Sequence, residues 1–323
     1  MNEPAVENVT WAISDGRAGL ASQTRGLAEA VGLAVVTKTV HPRFPWTILP
    51  VTAWPAPFQA LASGSSAFAP PWPKLAIGCG WRSIPYVLAV KRLSGGRTFT
   101  VQLQDPRIDP KNFDLVIPPE HDGLTGANVE AIVGSPNAVT RAKLDAAANQ
   151  WRAKFAALKQ PRIAVLIGGK SKSHSFGDND AHRLGAQLKD LAGRGLALMV
   201  TTSRRTGETQ TRIIKEALAG TQAFVWDGTG DNPYFGLLAL ADVILVTSDS
   251  TNMAIEAAGT GKPVYIVGLP GGDSKFARLH ADLERRGIAR KFTGEIEQWT
   301  YTPLNETARI AALIRKRIGL ELR

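Results

Sequence analysis

The chain has 323 residues, of which 44% are hydrophobic and 20% are charged, and its formal net charge at pH 7 is +10. This composition is typical of a folded globular protein and excludes intrinsic disorder as its main state, and the length favours two domains. The single cysteine, Cys79, excludes an intramolecular disulfide framework and a multi-cysteine zinc site, which favours a reducing compartment.

Short β-rich runs alternate with helical segments along the whole chain, as expected of parallel sheets built from βαβ units. In the first half a helix follows the first strand, and a helical segment over 141–158 ends at Gln160-Pro161, where we place the domain boundary. The strands predicted for this half are 9–14, 34–40, 74–78, 98–103, 115–117 and 131–133.

The alternation restarts after the boundary, which predicts a second and similar domain. Its predicted strands are 162–167, 196–201, 223–226, 242–246 and 263–267, and its predicted helices cover 180–191 and 212–218, start at 233, and cover 251–258. The last helix, 303–319, takes Thr302 as N-cap and Pro303 as its first residue, and it could pack back on the first domain. We therefore predict an α/β protein with two Rossmann-like, doubly wound parallel-sheet domains, 1–159 and 160–323.

The positive charge is spread evenly, since residues 1–160 and 161–323 each carry a net charge of +5. Nucleic-acid-binding proteins usually concentrate basic residues on one element and interleave aromatic side chains, so we expect no nucleic-acid partner. Apolar runs are too short to span a membrane, and the first ten residues fit neither a secretory signal nor a transit peptide. We expect a cytoplasmic protein that could also lie at a membrane surface.

One region, 41–73, departs from the alternating pattern because it holds eight of the chain's 20 prolines. Proline at this density disfavours regular central strands. The region is either a surface connection held by aromatic side chains or a loop that binds an acceptor or touches a membrane. Together with the basic last helix it predicts weak binding to anionic lipids. The aromatic residues are Phe44, Trp46, Trp54, Phe58, Phe68 and Trp72.

The most informative segment follows the strand 242–246, where small hydroxyl residues lead into a helix start. Unpaired amides at such a start attract anions, and ligands of open α/β sheets bind at the carboxyl ends of strands. A diphosphate could rest there while Glu256 reaches a ribose hydroxyl, although an ordinary N-cap would explain the same residues. The predicted contacts are Ser248, Asp249, Ser250, Thr251, Asn252 and Glu256.

Two further strand ends in this domain carry residues suited to phosphate. Gly168 and Gly169 precede Lys170, and Ser203 precedes Arg204. The spacing matches neither the Walker loop nor the dinucleotide fingerprint, and a tight turn alone would also explain the glycines. The coincidence of three such strand ends favours a nucleotide-sugar-binding site.

Strand ends of the first domain carry carboxylates and arginines. Asp15 and Asp105 are the candidates for catalytic removal of a proton from an acceptor hydroxyl, although both also lie in ordinary turn sequences. The residues predicted beside them on the acceptor side are Arg17, Gly78, Gly80, Arg82 and Arg107.

Metal chemistry has little support, because the five histidines are dispersed and no HExxH motif or His/Cys pairing occurs. A serine nucleophile is equally unsupported, because the sequence has no GxSxG motif. We therefore expect no metal and no other cofactor. His174, in the glycine-rich loop, is the one histidine that merits a test.

Five segments together resemble the ELM1-like family, named for a plant mitochondrial-fission protein: SDGRAGLASQTRGLAEAVG, IGCGWRSIP, QDPR, VLIGG and DNPYFGLLALADVILVTSDSTNMAIEAAGTGKPVYI. The resemblance covers most of the chain and implies a GT-B-like fold, in which two Rossmann-like domains face a central cleft. The chain is also distantly similar to the peptidoglycan glycosyltransferase and lipid A disaccharide synthase groups, whose second domain binds UDP-sugars.

By that similarity, residues 248–252 and Glu256 match the diphosphate and ribose sites, 168–169 match the glycine turn, and 15–19 match the acceptor-side catalytic loop. The sequence lacks the histidine that the peptidoglycan type carries in its first glycine-rich loop. The resemblance implies a metal-independent glycosyltransferase that moves a sugar from a nucleoside-diphosphate sugar to an acceptor, soluble or lipid-linked, in cell-envelope glycan synthesis. The alternatives are a nucleoside-diphosphate-sugar epimerase and a non-catalytic binding scaffold, as in the organelle-fission relatives.

Overall fold

The computed structural model describes residues 6–320, so the extreme ends of the predicted domains, 1–5 and 321–323, lie outside the described residues. The chain forms two compact units. The second unit is continuous and covers residues 139–304, whereas the first combines the described residues up to 138 with those from 305 onwards.

The first unit is built on a five-stranded parallel sheet in the order β2-β1-β3-β4-β5. Neighbouring residues of the interior strand β1 point to opposite faces, so Ala12 packs with Leu27 on one side and Ile13 packs with Tyr86 on the other. The elements are β1 Val6–Ser14, α1 Ala18–Val31, β2 Ala34–Thr39, β3 Trp72–Cys79, α2 Ile84–Leu93, β4 Phe99–Leu103 and β5 Leu115–Ile117.

The second unit contains a six-stranded parallel sheet in the order β11-β10-β9-β6-β7-β8. The strand order reverses between β6 and β9, and the carboxyl ends of strands at such a point flank a crevice. The elements are α3 Arg141–Trp151, β6 Arg162–Ile167, α4 Asp178–Gly193, β7 Ala197–Thr202, α5 Glu208–Ala217, β8 Ala223–Trp226, α6 Tyr234–Leu240, β9 Val243–Thr247, α7 Thr251–Ala258, β10 Val264–Val267, α8 Ser274–Arg285 and β11 Ala289–Lys291.

The division between the units falls after residue 138, about twenty residues before the predicted boundary at Gln160. The reason is the packing of α3. A Cβ atom at Gly236 of α6 would lie 2.5 Å from the Trp151 ring, and the Phe155 ring lies 5.1 Å from that of Phe224. These contacts join the predicted 141–158 helix, which ends as an α-helix at Trp151, to the second unit.

The last helix, α9 Glu306–Arg317, belongs to the first unit. It begins three residues later than the predicted start at Pro303, because the Leu304 amide donates to the Ala258 carbonyl at 3.1 Å and holds the chain outside the helix. Ile310 and Ile314 join the buried cluster around α1.

The strand predicted over 131–133 does not form. Ile132 makes only an isolated bridge to Pro119, because Pro118 and Pro119 have no N–H group with which to continue a ladder.

The proline-rich region 41–73 is mainly irregular, and its last residues start β3. Most of its aromatic side chains pack inward, where Phe58, Phe68 and Trp72 lie against Tyr86 or Trp11. This packing supports a connection held by aromatic residues.

Candidate functional site

The carboxyl ends of four strands in the second unit are tied together by hydrogen bonds. The Gly168 amide donates to Thr247 Oγ1 at 2.8 Å, Ser203 Oγ donates to the Gly168 carbonyl at 2.6 Å, and the Leu269 amide donates to Ser248 Oγ at 2.9 Å. Because these partners are far apart in sequence, the bonds fix the positions of the four strand ends relative to one another. We call these loops the second-unit edge: 168–174, 203–206, 248–252 and 268–273.

Asp249 occupies the centre of the second-unit edge. Its buried carboxylate accepts hydrogen bonds from the Gly169 amide at 2.9 Å and from Thr247 Oγ1 at 2.7 Å, and it pairs with Arg205 Nη1 at 2.7 Å. The sequence predicted Asp249 and Gly169 as ligand contacts. In the structure these two residues bind each other, because the Gly169 amide donates to the Asp249 carboxylate.

The two glycines at the end of β6 are required by this packing. A Cβ atom at Gly168 would lie 2.2 Å from Asp249 Oδ2, and one at Gly169 would lie 2.2 Å from the Arg205 carbonyl oxygen. Gly169 also has a φ of +139°, a backbone conformation that residues other than glycine rarely adopt. The glycine turn therefore brings β6 close to β9 rather than only leaving space for a ligand.

The start of α7 is the feature at which the sequence predicted anion binding. Ser250 is its N-cap, and the Ser250 side chain makes no capping hydrogen bond. Helix starts of this kind carry partial positive charge and free amides. On the adjacent loops Lys170 is exposed, and the Arg205 side chain remains 41% exposed although it pairs with Asp249. Of the other predicted contacts, Ser248 accepts from Leu269, and Thr251 and Asn252 form the first turn.

Glu256, in the second turn of α7, accepts a hydrogen bond from the Tyr234 hydroxyl. Burial raises the pKa of Glu256, and burial together with this carboxylate raises the pKa of Tyr234. Within residues 6–320 the other Glu256 oxygen, Oε1, has no hydrogen-bond partner. The sequence pattern had not indicated Tyr234 as its partner.

Arg204 belongs to the 203–206 loop of the second-unit edge, but it does not share the ion pair that Arg205 forms with Asp249. It lines an open cavity of about 720 Å³ beside α5 and the end of β8, together with Arg212 and Trp226. The tight turn closed by the Thr206 amide on the Ser203 carbonyl separates the consecutive arginine side chains, and Arg205 is the one that reaches Asp249. An Arg-Arg pair in a loop gives no sequence signal that would distinguish the two.

Two histidines lie close together at the second-unit edge, His174 within it and the partly buried His280 on α8. His174 is 5% exposed and packs edge-on against Phe276, with ring centroids 4.7 Å apart. His174 Nδ1 and His280 Nε2 are buried without a hydrogen-bond partner. Burial, with the nearby His174, lowers the pKa of His280 to about 4, so His280 is neutral at neutral pH. Among the described residues, no group of three or more His, Cys, Asp or Glu side chains could hold a metal ion.

In the first unit the structure brings Asp15, Arg17 and Arg82 together at the end of β1. Arg17 Nε donates to Asp15 Oδ2 at 2.8 Å, the Arg17 amide donates to Oδ1 at 3.3 Å, and Arg82 Nη1 lies 3.8 Å from Oδ2. The Asp15 side chain is only 1% exposed. Both guanidinium groups therefore lie next to Asp15 Oδ2, while Oδ1 accepts from the Arg17 amide.

Asp105 has a different environment at the end of β4. Its Oδ1 accepts from the Arg107 amide at 2.8 Å, and the flanking residues Gln104 and Arg107 have φ values of 70° and 55°. Such left-handed conformations are unfavourable for residues other than glycine and concentrate at functional sites. Asp105 is partly exposed, and no described residue bonds to its Oδ2.

The sequence did not indicate the amide network that supports this turn. The Gln104 side chain donates to Gln23 Oε1 at 3.3 Å, and the Cys79 thiol donates to the same oxygen at 3.4 Å. Burial, with the neighbouring Asp15 carboxylate, raises the pKa of Cys79 to about 12, so the thiol is protonated at neutral pH.

The two acceptor-side glycines have packing roles. A Cβ atom at Gly78 would lie 2.6 Å from Gln102 Oε1. Gly80, at a φ of +80°, directs its carbonyl oxygen to the Ser83 hydroxyl at 2.8 Å. Together they shape the loop that carries Arg82.

The family model for Mitochondrial fission ELM1 matches residues 18–318 of the chain. The chain belongs to this family. The Mitochondrial fission protein ELM1 of Arabidopsis thaliana is 33% identical over 274 residues, which cover 76% of this chain and 64% of that protein. The uncharacterized protein RP120 of Rickettsia prowazekii is 33% identical over 205 residues, covering 61% of this chain and 57% of that protein. The match therefore spans about three fifths of the length of these curated ELM1 relatives.

Solved structures agree with the expected fold of this ELM1 family member. The UDP-GlcNAc 2-epimerase of Methanocaldococcus jannaschii superposes with a TM-score of 0.53 at 11% identity, covering 95% of this chain and all of that one. At this identity the similarity concerns the fold alone. It confirms a GT-B-like fold of two Rossmann-like, doubly wound parallel-sheet units. Within residues 6–320, none of the helices has the length and apolar character needed to cross a membrane.

Proposed function

We propose that this ELM1-family protein binds a nucleoside-diphosphate sugar at the second-unit edge and transfers the sugar to an acceptor without a metal ion. The uncapped start of α7 at the carboxyl end of β9 is the observation on which the proposal depends. The acceptor, soluble or lipid-linked, would belong to cell-envelope glycan synthesis, as the resemblance implies.

The basic groups beside α7 suit a departing diphosphate. Helix-start amides, Lys170 and the exposed part of Arg205 would stabilise the negative charge that develops as the sugar leaves, a task that a divalent ion performs in other enzymes. Arg205 has five N–H donors and can contact a ligand while it remains paired with Asp249. On the same helix, Oε1 of Glu256 would accept a hydrogen bond from the ribose.

In the first unit the geometry favours Asp105 over Asp15 as the proposed base. Transfer breaks the bond from the anomeric carbon to the diphosphate, forms one to the acceptor oxygen, and releases the acceptor proton to a base. Asp105 has an available oxygen, whereas Asp15 would first have to release Arg17. We therefore propose that Asp15 positions Arg17 and Arg82.

A thermal-shift screen with UDP, GDP, CDP and their sugars tests binding. A ligand at 100 times its dissociation constant adds about 2.7 kcal/mol of stability. We expect one nucleotide to raise the melting temperature and Lys170→Gln to weaken its binding. Lys189→Gln, an exposed lysine on α4, is the matched control and should bind normally. The absence of a shift with every nucleotide would contradict the proposal.

Turnover of the nucleotide identified in that screen tests transfer. Asp105→Asn should abolish transfer while leaving nucleotide binding unchanged. The same incubation in deuterated water distinguishes an epimerase, because only epimerisation leaves deuterium on the recovered nucleotide sugar. Binding without either reaction would instead support a scaffold, in line with the fission role in the name of the Arabidopsis relative.

A further inference from the structure

The proline-rich region of the first unit exposes a short apolar tip. Phe44 is 75% exposed, Ile48 is 72% exposed and Leu49 is 37% exposed, and all three lie within eight residues of chain that begin at Arg43. Large side chains of this kind are normally buried, and a cluster of them on a surface marks an interaction site. We call residues 43–50 the apolar tip.

The apolar tip is held in place by buried aromatic residues. Trp46 packs on Trp54 with ring centroids 5.5 Å apart, and Trp54, which is 5% exposed, packs in turn against Tyr86 of α2. Trp54 Nε1 also donates to the Leu49 carbonyl at 3.4 Å. These contacts support the base of the tip from within the first unit, while Phe44 and Ile48 remain directed to solvent.

The charged side chains that flank the apolar tip in the sequence are all positive. Between Glu29 and Asp105 the sequence contains seven lysines and arginines and no aspartate or glutamate. Arg43 lies in the tip, and Arg92 of α2 donates to the carbonyl of Pro55 at 3.2 Å, which places it beside the same region. Neither arginine forms an ion pair with any described residue.

The sequence alone had also suggested the basic last helix as a lipid-binding element. In the structure the Arg315 guanidinium donates to the Ala30 carbonyl at 2.7 Å, and Arg309 pairs with Glu130 and Glu306. Arg317 also donates to the Asp114 carbonyl at 3.5 Å, so three of the four basic side chains of α9 are tied to its own unit. The apolar tip therefore carries the stronger signal for an interaction.

We propose that residues 43–50 insert into the headgroup region of an anionic membrane, with Phe44, Ile48 and Leu49 as the apolar wedge and Arg43 and Arg92 contacting lipid phosphates. A protein interface usually buries about 800 Å² on each partner, which three side chains cannot supply. A bilayer surface, by contrast, binds a small apolar element when nearby cations add electrostatic attraction. This inference depends only on the first unit and is independent of the proposed nucleotide site.

The direct test places a fluorophore on the apolar tip. Cys79 is only 1% exposed, so an Ile48→Cys variant can be labelled selectively with an environment-sensitive dye. Vesicles of phosphatidylcholine with about 30 mol% phosphatidylglycerol should shift the emission to the blue, and brominated acyl chains should quench it. A dye at Ala186→Cys, an exposed position on α4, is the control and should show neither effect.

Co-sedimentation with the same vesicles measures the affinity. We expect the Phe44→Ser/Ile48→Ser variant to partition at least about tenfold less, since burying one such side chain in an apolar phase favours partitioning by one to two decades. Val36→Ser, an exposed apolar position on β2, should bind as the parent does. Pure phosphatidylcholine should bind the unmodified chain weakly.

Three results would overturn the inference. The first is a dye at position 48 that remains solvent-exposed on anionic vesicles. The second is vesicle binding that is unchanged in the double variant but is abolished by salt. Such binding would be purely electrostatic. The third is self-association in analytical ultracentrifugation that the double variant removes, because the tip would then bind a second copy of the chain.

Discussion

Asp249 shows what a single residue does at the second-unit edge. Its carboxylate joins three separate parts of the chain through Gly169, Thr247 and Arg205. A buried carboxylate is stable only when charged or polar partners surround it. Of these partners, Gly169 is the one that the sequence predicted as a nucleotide contact, and its amide donates to Asp249. The proposed phosphate site therefore depends on the start of α7 and the exposed cations beside it.

Replacing Glu256 by glutamine tests the residue that is proposed to contact the ribose. The folded-state pKa of Glu256 lies above its ordinary value of 4.5, so folding favours the protonated form and the free energy of unfolding falls as the pH rises above that value. Glutamine cannot ionise and can still accept the Tyr234 hydrogen bond. We expect Glu256→Gln to be more stable than the parent at pH 7 and equal to it below about pH 4, measured by urea unfolding across this range.

The same variant should bind the nucleotide less tightly. Hydrogen bonds to a charged group contribute about 1 kcal/mol more than neutral ones, so we expect a roughly fivefold rise in the dissociation constant by calorimetry. A nucleoside diphosphate that lacks the 2′ and 3′ hydroxyl groups serves as the control and should bind both proteins equally. If the parent protein is more stable than Glu256→Gln at pH 7, the predicted effect of burial on the Glu256 carboxylate is wrong.

At the scale of elements, the approach of β6 to β9 depends on Gly168. A methyl group there would overlap Asp249, and overpacking of this kind costs about 1–3 kcal/mol. We expect Gly168→Ala to lower the free energy of unfolding by at least that amount and to abolish nucleotide binding. Chemical denaturation and calorimetry measure the two effects.

Gly193, at the end of α4, provides the matched control for this substitution. A Cβ atom at Gly193 would meet no atom within 4 Å, and its backbone is helical. Gly193→Ala should therefore raise the free energy of unfolding by about 0.5–1 kcal/mol. Equal losses of stability in both variants would show that the β6 turn tolerates a side chain.

Hydrophobic periodicity predicted most elements because the strands are short, buried and separated by turns. The strands β5, β6 and β8 and the helix α7 occur at the predicted residues, and most other predicted elements differ by a few residues at their ends. Two helices, α2 and α8, were not predicted. α2 carries apolar residues on most sides because the sheet, the proline-rich region and neighbouring loops surround it, which weakens an amphipathic pattern.

At the scale of the whole molecule, the unit boundary at residue 138 predicts which fragment folds. A fragment of residues 139–304 retains α3, whereas one of residues 160–304 loses the buried Trp151 and Phe155 side chains. Removing a buried aromatic side chain costs about 3–5 kcal/mol, comparable with the whole stability of a small domain.

We therefore expect the longer fragment to unfold cooperatively in a thermal scan followed by circular dichroism, and the shorter one not to. Trp151→Ala in the full chain should destabilise the second unit without altering the first, as hydrogen exchange of the two sheets would show. Equal cooperativity of both fragments would place the boundary at Gln160 instead.

Local sequence patterns were sufficient to predict the two doubly wound units, the order of most of their elements and the strand ends at which polar residues collect. These features follow from local periodicity and turn residues, which are properties of neighbours along the chain. Three features could be seen only in the folded chain. Asp249 pairs with Arg205, and Asp105 rather than Asp15 has an oxygen without a partner among the described residues. The helix α3 belongs to the second unit. These outcomes depend on contacts between segments distant in sequence, where packing and burial select one partner among several that are chemically equivalent.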